Sequence, residues 1–265
     1  MDEIPEIKFL AGHASSEISP ILGKLYKPYP AAEAMPDWYK DLPLQYFSDR
    51  TGGDQATVKT CPGVFDMLRA GYIIPAWHDM VIKYDPDAGG YDDIQYAVPQ
   101  AIDKYSSEMR FHESLQLKGC PMTEGKHRPW DKFAKFSTPW YIEAPEGISI
   151  MYMHPFYRQS HDFFVLPGMV DPHINDISNK EINVFLQLHV PNQDIWIEAG
   201  EPLIQVIPFR REDYKFTVDY LDTKEKLEQY KLLEYKRATK LSFGKENKQK
   251  SLLKLRDKDN KNYNA

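Results

Sequence analysis

A chain of 265 residues, of which 42% are hydrophobic and 13% aromatic, is long enough to bury a sizeable core, which excludes a fully disordered protein. Its two cysteines are too few for a disulfide framework, and no basic segment followed by an apolar run opens the chain, so we expect a soluble protein that is neither secreted nor membrane-spanning. The formal net charge of -6 is uneven, because residues 210–265 contain 16 Lys and Arg against 10 Asp and Glu, which leaves 17 against 29 in the remainder.

The first 60 residues form a segment rich in proline and aromatic residues. The stretch PYPAAEAMPDWYKDLP places four prolines around Trp38 and Tyr39. Prolines this close together rule out a long helix and predict an extended segment laid over the core. The polar stretch SDRTGGDQ at 48–55 predicts an exposed loop.

A short helix is predicted next, opening at Pro62 and stopping at Gly71. Its apolar residues share one face: Val64, Phe65 and Leu68. Strands rich in apolar and β-branched residues are expected to follow at 72–76, 80–84 and 94–98.

From Pro139 onward the sequence changes to short apolar runs separated by Pro, Gly, Asn and Asp, which is typical of a compact sandwich or barrel. Strands are predicted at 139–143, 148–153, 163–166, 181–190, 195–198 and 202–208. The run INVFLQLHV alternates, which puts four side chains on one buried face: Ile182, Val184, Leu186 and Leu188. The sequence therefore predicts a mainly β fold with minor α content and a β-rich core over residues 61–212.

The last part of the chain, residues 213–265, is predicted to contain a strand, a helix and a basic tail. KFTVDY at 215–220 alternates as a strand does, and Asp222 with Glu225 forms a capping box for a helix that runs to about Leu241. Past Gly244 the sequence has too few apolar residues to pack against the rest of the chain, so we expect fraying or disorder there unless a partner binds it. Acidic residues interleave with the basic ones, which favours a solvated tail over contact with nucleic acid.

Four motifs in the C-terminal half occur in a recognisable order: APEG at 144–147, LPGMVDPH at 166–173, VFLQLHV at 184–190 and IWIEAGEPLIQVIPF at 195–209. This series resembles the dUTP pyrophosphatase and dCTP deaminase superfamily. The resemblance covers about residues 139–209 and implies a β-clip barrel or sandwich, with an N-terminal extended segment and a C-terminal helix added to it. Glycines at 147, 168 and 200 would permit the tight turns between its short strands.

The same resemblance implies candidate site residues. Asp171 occupies the place of the Asp that lies on the deoxyribose and, in the pyrophosphatases, orients the attacking water, although it also fits a turn aspartate before Pro172. Gln205 occupies the place of a Gln that helps to hold phosphates. Arg158 and Ser160 lie near the place of an Arg-Ser pair, out of register, and complete the set of ligand-binding candidates.

Other positions depart from the superfamily pattern. The catalytic Glu of a deaminase is replaced by Gln187, whose amide cannot act as a general acid or base. Ile174 stands where an aromatic residue would screen against ribose. The sequence therefore predicts that ordinary pyrophosphatase or deaminase chemistry is absent. Mg²⁺ is expected only under the alternative of a nucleotide-binding hydrolase with a degenerate site.

A zinc site is a separate hypothesis, built on three residues in a loop-rich stretch: His112, Cys120 and His127. His154 or His161 would supply the fourth ligand, but the spacing matches no compact zinc signature. Cys61 precedes the predicted helix and has no identifiable His partner. We interpret it as a buried structural thiol rather than a nucleophile.

Across most of residues 30–212 the chain resembles a family of tailed-phage proteins that carries no assigned activity. The segments that carry this resemblance are PAAEAMPDWYKDLP, VKTCPGVFDMLRAGYIIP, KFSTPWYIEAPEG, FVLPGMVD and IWIEAGEPLIQVIPFRRE. It implies a phage origin, in a host cytoplasm or a virion, and by fold analogy a structural role. We expect a non-catalytic structural or interaction protein that binds a virion or host partner and self-associates, with a trimer as the expected oligomer.

Overall fold

The computed structural model describes residues 4–12, 19–85, 94–97, 109–111, 132–158, 160–174, 176 and 180–243. Strands hold about 39% of these residues and α-helices about 21%, which confirms the prediction of a mainly β fold. The described residues divide into two units, one made of residues 5–211 and the other of Ile4 with residues 212–243.

In its described residues, the first unit contains fifteen strands and three short α-helices. Its strands are β1 (Lys8–Ala11), β2 (Tyr29–Pro30), β3 (Gln45–Ser48), β4 (Gly53–Ala56), β5 (Tyr72–Pro75), β6 (Met80–Tyr84), β7 (Ile94–Ala97), β8 (Met109–Phe111), β9 (Lys132–Glu143), β10 (Ile148–Met153), β11 (Phe163–Val165), β12 (Gly168–Val170), β13 (Glu181–Leu188), β14 (Ile195–Ile197) and β15 (Pro202–Arg210). Its α-helices are α1 (Ser19–Leu25), α2 (Asp37–Asp41) and α3 (Pro62–Arg69), with 3-10 turns at Ala31–Ala34 and Val58–Thr60.

The strands form antiparallel sheets. One has the order β1-β9-β13-β11, with β8 also paired to β9, and a second has the order β12-β10-β15-β5-β2. A third has the order β14-β6-β7, and β3 with β4 forms a separate hairpin. The first three sheets share one hydrophobic core.

The alternation predicted for β13 is confirmed by its burial. All four predicted core side chains are fully removed from solvent: Ile182, Val184, Leu186 and Leu188. Burying an aliphatic side chain of this kind stabilises a fold by about 1.5–3 kcal/mol relative to leaving it exposed. A shift of one residue in the register of this strand would place the whole set on the opposite face.

Strand β9 begins seven residues before the predicted start at Pro139. Proline lacks a backbone N–H and is confined to places where the ladder needs no donor. The pairing of β9 with β13 jumps from Ser137 opposite Asn183 to Tyr141 opposite Glu181. Pro139 lies inside this irregular step, and the strand therefore continues through it.

The N-terminal segment departs from the predicted extended path. Short helices occupy the intervals between its prolines, and they remain short as the prolines require. The stretch predicted as an exposed loop is the tip of the β3–β4 hairpin, where Ser48 O accepts hydrogen bonds from the N–H groups of Thr51 and Gly52. Gly52 has a φ of 63°, which suits glycine in a tight turn.

The second unit contains one described helix, α4 (Lys224–Phe243), which confirms the predicted helix. Its N-terminal cap is Thr223 rather than Asp222, because Lys226 N donates to the Thr223 hydroxyl at 3.3 Å. The strand predicted at 215–220 is wrong, since no strand forms there. An alternating sequence becomes a strand only when another strand supplies its hydrogen bonds.

Candidate functional site

Gln205 lies in β15 with only 2% of its surface exposed. Its Nε2 donates hydrogen bonds to Met67 O at 2.9 Å and Ala70 O at 2.8 Å. Its Oε1 accepts a hydrogen bond from Phe156 N at 2.9 Å. Both amide hydrogens are thus used, and the side chain ties the sheet to the C-terminal end of α3 and to the loop after β10.

Arg158 lies in that same loop and is also bound to the backbone. Its guanidinium donates to Ala34 O, and its own carbonyl accepts from His154 Nε2. His154 Nδ1 accepts from Val165 N at 3.3 Å, which places the ring proton on Nε2. Burial lowers the pKa of His154, so its imidazole is neutral near pH 7.

Tyr157, which no sequence argument singled out, is held by the same loop in a left-handed conformation with a φ of 57°. Such a backbone costs a non-glycine residue on the order of 1 kcal/mol or more. Trp38 Nε1 donates to Tyr157 O at 3.1 Å, and the two rings meet edge to face with centroids 6.3 Å apart. The stretch MHPFYRQS has no Gly or Asn that would have signalled this conformation.

Asp171 follows β12 and opens a turn, with Ile174 N donating to its carbonyl at 3.0 Å. One carboxylate oxygen accepts from the Ser149 hydroxyl, and the other accepts from Arg211 Nη1 at 2.5 Å. The hydrogen bond from Ser149, and after it the bond and charge of Arg211, lower the pKa of Asp171. The carboxylate is therefore ionised at neutral pH and bound through both oxygens.

The structure does not bring Asp171 and Gln205 together. Asp171 follows β12 and Gln205 lies in β15, and these two strands flank β10 on opposite sides. Asp171 contacts Ser149, whereas Gln205 is paired with Met153, four residues further along β10. Four residues span about 13 Å along a strand, and the two flanking strands add about 9 Å across it. A small ligand would have to bridge both displacements to contact the two side chains.

The remaining ligand candidate, Ser160, supports its own turn. Its hydroxyl accepts from Asp162 N at 3.2 Å and Phe163 N at 3.4 Å. Gln187 is buried in β13, and Ile174 is 44% exposed beyond Asp171. Ser160 therefore stabilises its own turn, whereas Gln187 is buried in a strand and Ile174 is exposed.

The three proposed zinc ligands, His112, Cys120 and His127, lie outside the described residues. Among the residues that the structure does describe, no group of three His, Cys, Asp or Glu side chains could hold a metal ion. Asp171 is a poor Mg²⁺ site as well, because Arg211 already neutralises its charge and, within the described ranges, it belongs to no group of three His, Cys, Asp or Glu side chains. Cys61 is exposed, so its interpretation as a buried thiol is wrong.

Two of the three glycines expected at turns have the conformation that such turns require. Gly147 and Gly200 have φ values of 79° and 87°. Gly168 instead lies inside β12, where an added Cβ would be 2.3 Å from the ring of Tyr152. Its role is to let that ring approach the backbone.

No protein-family model matches the chain, and no curated protein matches it either. Within the described ranges, no helix combines the length and the apolar character needed to cross a bilayer.

Proposed function

We propose that this chain is a non-catalytic structural or interaction protein. The observation that carries the proposal is the side chain of Gln205. A glutamine that holds phosphate must direct an N–H group at the ligand, but both N–H groups of Gln205 donate to carbonyl oxygens of the fold. Turning the amide toward a ligand would break the bonds that fasten α3 to the sheet.

Asp171 supports the same proposal. A carboxylate that orients an attacking water must accept a hydrogen bond from that water. The bonds from Ser149 and Arg211 occupy one acceptor site on each oxygen of Asp171, and they lower its pKa, which makes it a weaker base.

The proposal includes a β-clip arrangement for the C-terminal half of the first unit. Short antiparallel strands, with Gly147 and Gly200 in left-handed turns between them, support it. The resemblance to tailed-phage proteins supports a phage origin and a place in a virion or on a host partner. The resemblance to the dUTP pyrophosphatase and dCTP deaminase superfamily, whose members are typically trimeric, makes three copies the expected assembly.

Self-association is supported by large apolar side chains that the first unit leaves exposed. Trp196 and Phe47 are each 66% exposed, and Met169 is 52% exposed. Exposed apolar side chains are typical of sites that contact other proteins where they form one contiguous patch.

Incubation of the purified chain with each deoxynucleoside triphosphate and Mg²⁺ tests the absence of catalysis. We expect no pyrophosphate release above a protein-free blank, for the native chain and for Asp171→Asn alike. Release that Asp171→Asn abolishes, while the exposed-site control Asp194→Asn retains it, would overturn the proposal. Light scattering tests self-association, and a monomer at micromolar concentration would contradict that part.

A further inference from the structure

Residues 213–221 form no strand in the single chain, but their exposed apolar side chains alternate with polar ones as in a strand, and we call this segment the arm strand. Among described residues the arm strand pairs with no other strand. Its apolar positions are Tyr214, 79% exposed, Phe216, 85%, Val218, 62%, and Tyr220, 70%. An alternating row of this kind fits a strand whose apolar face is buried. In the described residues that face is exposed, so another segment or another chain must bury it.

The order of residues in the arm strand is complementary to itself. If two copies lie antiparallel with Thr217 opposite Thr217, Tyr214 faces Tyr220 and Phe216 faces Val218. On the other face of the same ribbon, Lys215 lies opposite Asp219. Aromatic pairs, aromatic with β-branched pairs, threonine pairs and opposite charges are the cross-strand pairs that stabilise antiparallel sheets.

We propose that the arm strand pairs with the arm strand of a second copy of this chain, antiparallel and centred on Thr217. A self-complementary contact of this kind is the mark of a two-fold interface between identical chains. The inference rests on the proposed self-association and names the segment that carries one of its contacts.

The area available suits such a contact. Aromatic side chains bury about 150–250 Å² each, so three of them at these exposures together with Val218 present about 500 Å² per copy. Two copies whose apolar face is fully covered then hide about 1,000 Å², the size at which specific interfaces begin. A two-stranded ribbon needs a further layer to be stable. Helix α4 offers one, since Leu227, Tyr230 and Leu233 are 41%, 52% and 52% exposed.

Local contacts of the single chain are compatible with this register. Tyr220 N already donates to Asp219 Oδ1 at 2.8 Å. When Thr217 and its counterpart exchange backbone hydrogen bonds, the N–H of Tyr220 faces away from the partner strand, where this bond can persist. Lys226 Nζ lies 2.8 Å from Asp219 Oδ1, and Lys215 of the second copy would approach the same carboxylate.

Disulfide trapping tests the register in the full chain, with Cys61→Ser and Cys120→Ser as background. Thr217→Cys places two thiols opposite each other at a Cα separation of about 4.5–5.5 Å, within the range that a disulfide spans. Lys215→Cys is the matched control, because its two copies lie about 13 Å apart in this register. We expect at least tenfold more covalent dimer for Thr217→Cys than for Lys215→Cys under mild oxidation.

Equal trapping at both positions, or none at either, would overturn the arm strand pairing. Light scattering distinguishes failure of the arm strand pairing from failure of the proposed self-association. Phe216→Asp is expected to halve the number of copies per particle, from two to one, or from six to three where the first unit by itself forms the expected trimer. An unchanged number above one removes the arm strand pairing and leaves self-association standing, whereas a native monomer removes both.

Discussion

Replacing Gln205 with methionine removes three hydrogen bonds while keeping an unbranched side chain of similar length. Met67 O retains the backbone N–H of Ala70 as a donor at 3.3 Å, so the groups that lose a partner are Ala70 O and Phe156 N. A buried polar group left without a partner costs about 1–3 kcal/mol. Because both groups lie in partly buried surroundings, we expect Gln205→Met to lower the free energy of unfolding by about 2–4 kcal/mol.

Urea unfolding followed by tryptophan fluorescence, at fixed protein concentration, measures this loss. Gln193→Met is the matched control, because Gln193 is exposed and its replacement should change the free energy by less than about 0.5 kcal/mol. If the free energy of unfolding of Gln205→Met lies within about 0.5 kcal/mol of the native value, the claim that the fold depends on the hydrogen bonds of the Gln205 amide is refuted.

Two further substitutions test neighbouring parts of the same sheet. Gly71→Ala should destabilise by more than about 3 kcal/mol, because φ is 68° and the new Cβ would lie 1.9 Å from Val206 O, whereas Gly63→Ala meets no atom within 4 Å. Equal unfolding midpoints for the two variants would contradict this. Ser149→Ala should cost about 1–2 kcal/mol at pH 7. The folded pKa of Asp171 is lowered, so its stabilising bond is fully present above the unfolded pKa of about 3.9 and is lost as pH falls through the folded value. The difference should therefore shrink below about pH 4, and a gap that stays constant in acid would refute the assignment.

Much of the first unit could be predicted because its signals are local. The alternation of Ile182 to Leu188 was enough to predict a strand with one buried face, and Pro62 with Gly71 marked both ends of α3. The path through Pro139 could not be predicted, since it depends on an irregular pairing with a strand more than 40 residues away.

The candidate residues show a different limit of sequence reasoning. Position in a motif identified Gln205 and Asp171 as the side chains to inspect, but their partners lie far away in the chain. Gln205 contacts residues 135 and 138 positions before it, and Asp171 contacts Arg211, 40 positions after it. No local pattern specifies such contacts. The arm strand differs from these two residues, because its alternation can be seen in the local sequence. The described part of the chain, however, contains no strand that pairs with it.

Stability in the presence of nucleotide tests the central claim most directly, because a ligand that binds the folded chain must raise its free energy of unfolding. At about 100 times its Kd, a nucleotide raises this free energy by about 2.7 kcal/mol. Urea unfolding with and without each deoxynucleoside triphosphate and Mg²⁺ should give the same midpoint, since Gln205 and Asp171 are committed to the fold. A rise of that size for any nucleotide, absent from Asp171→Asn, would contradict the account.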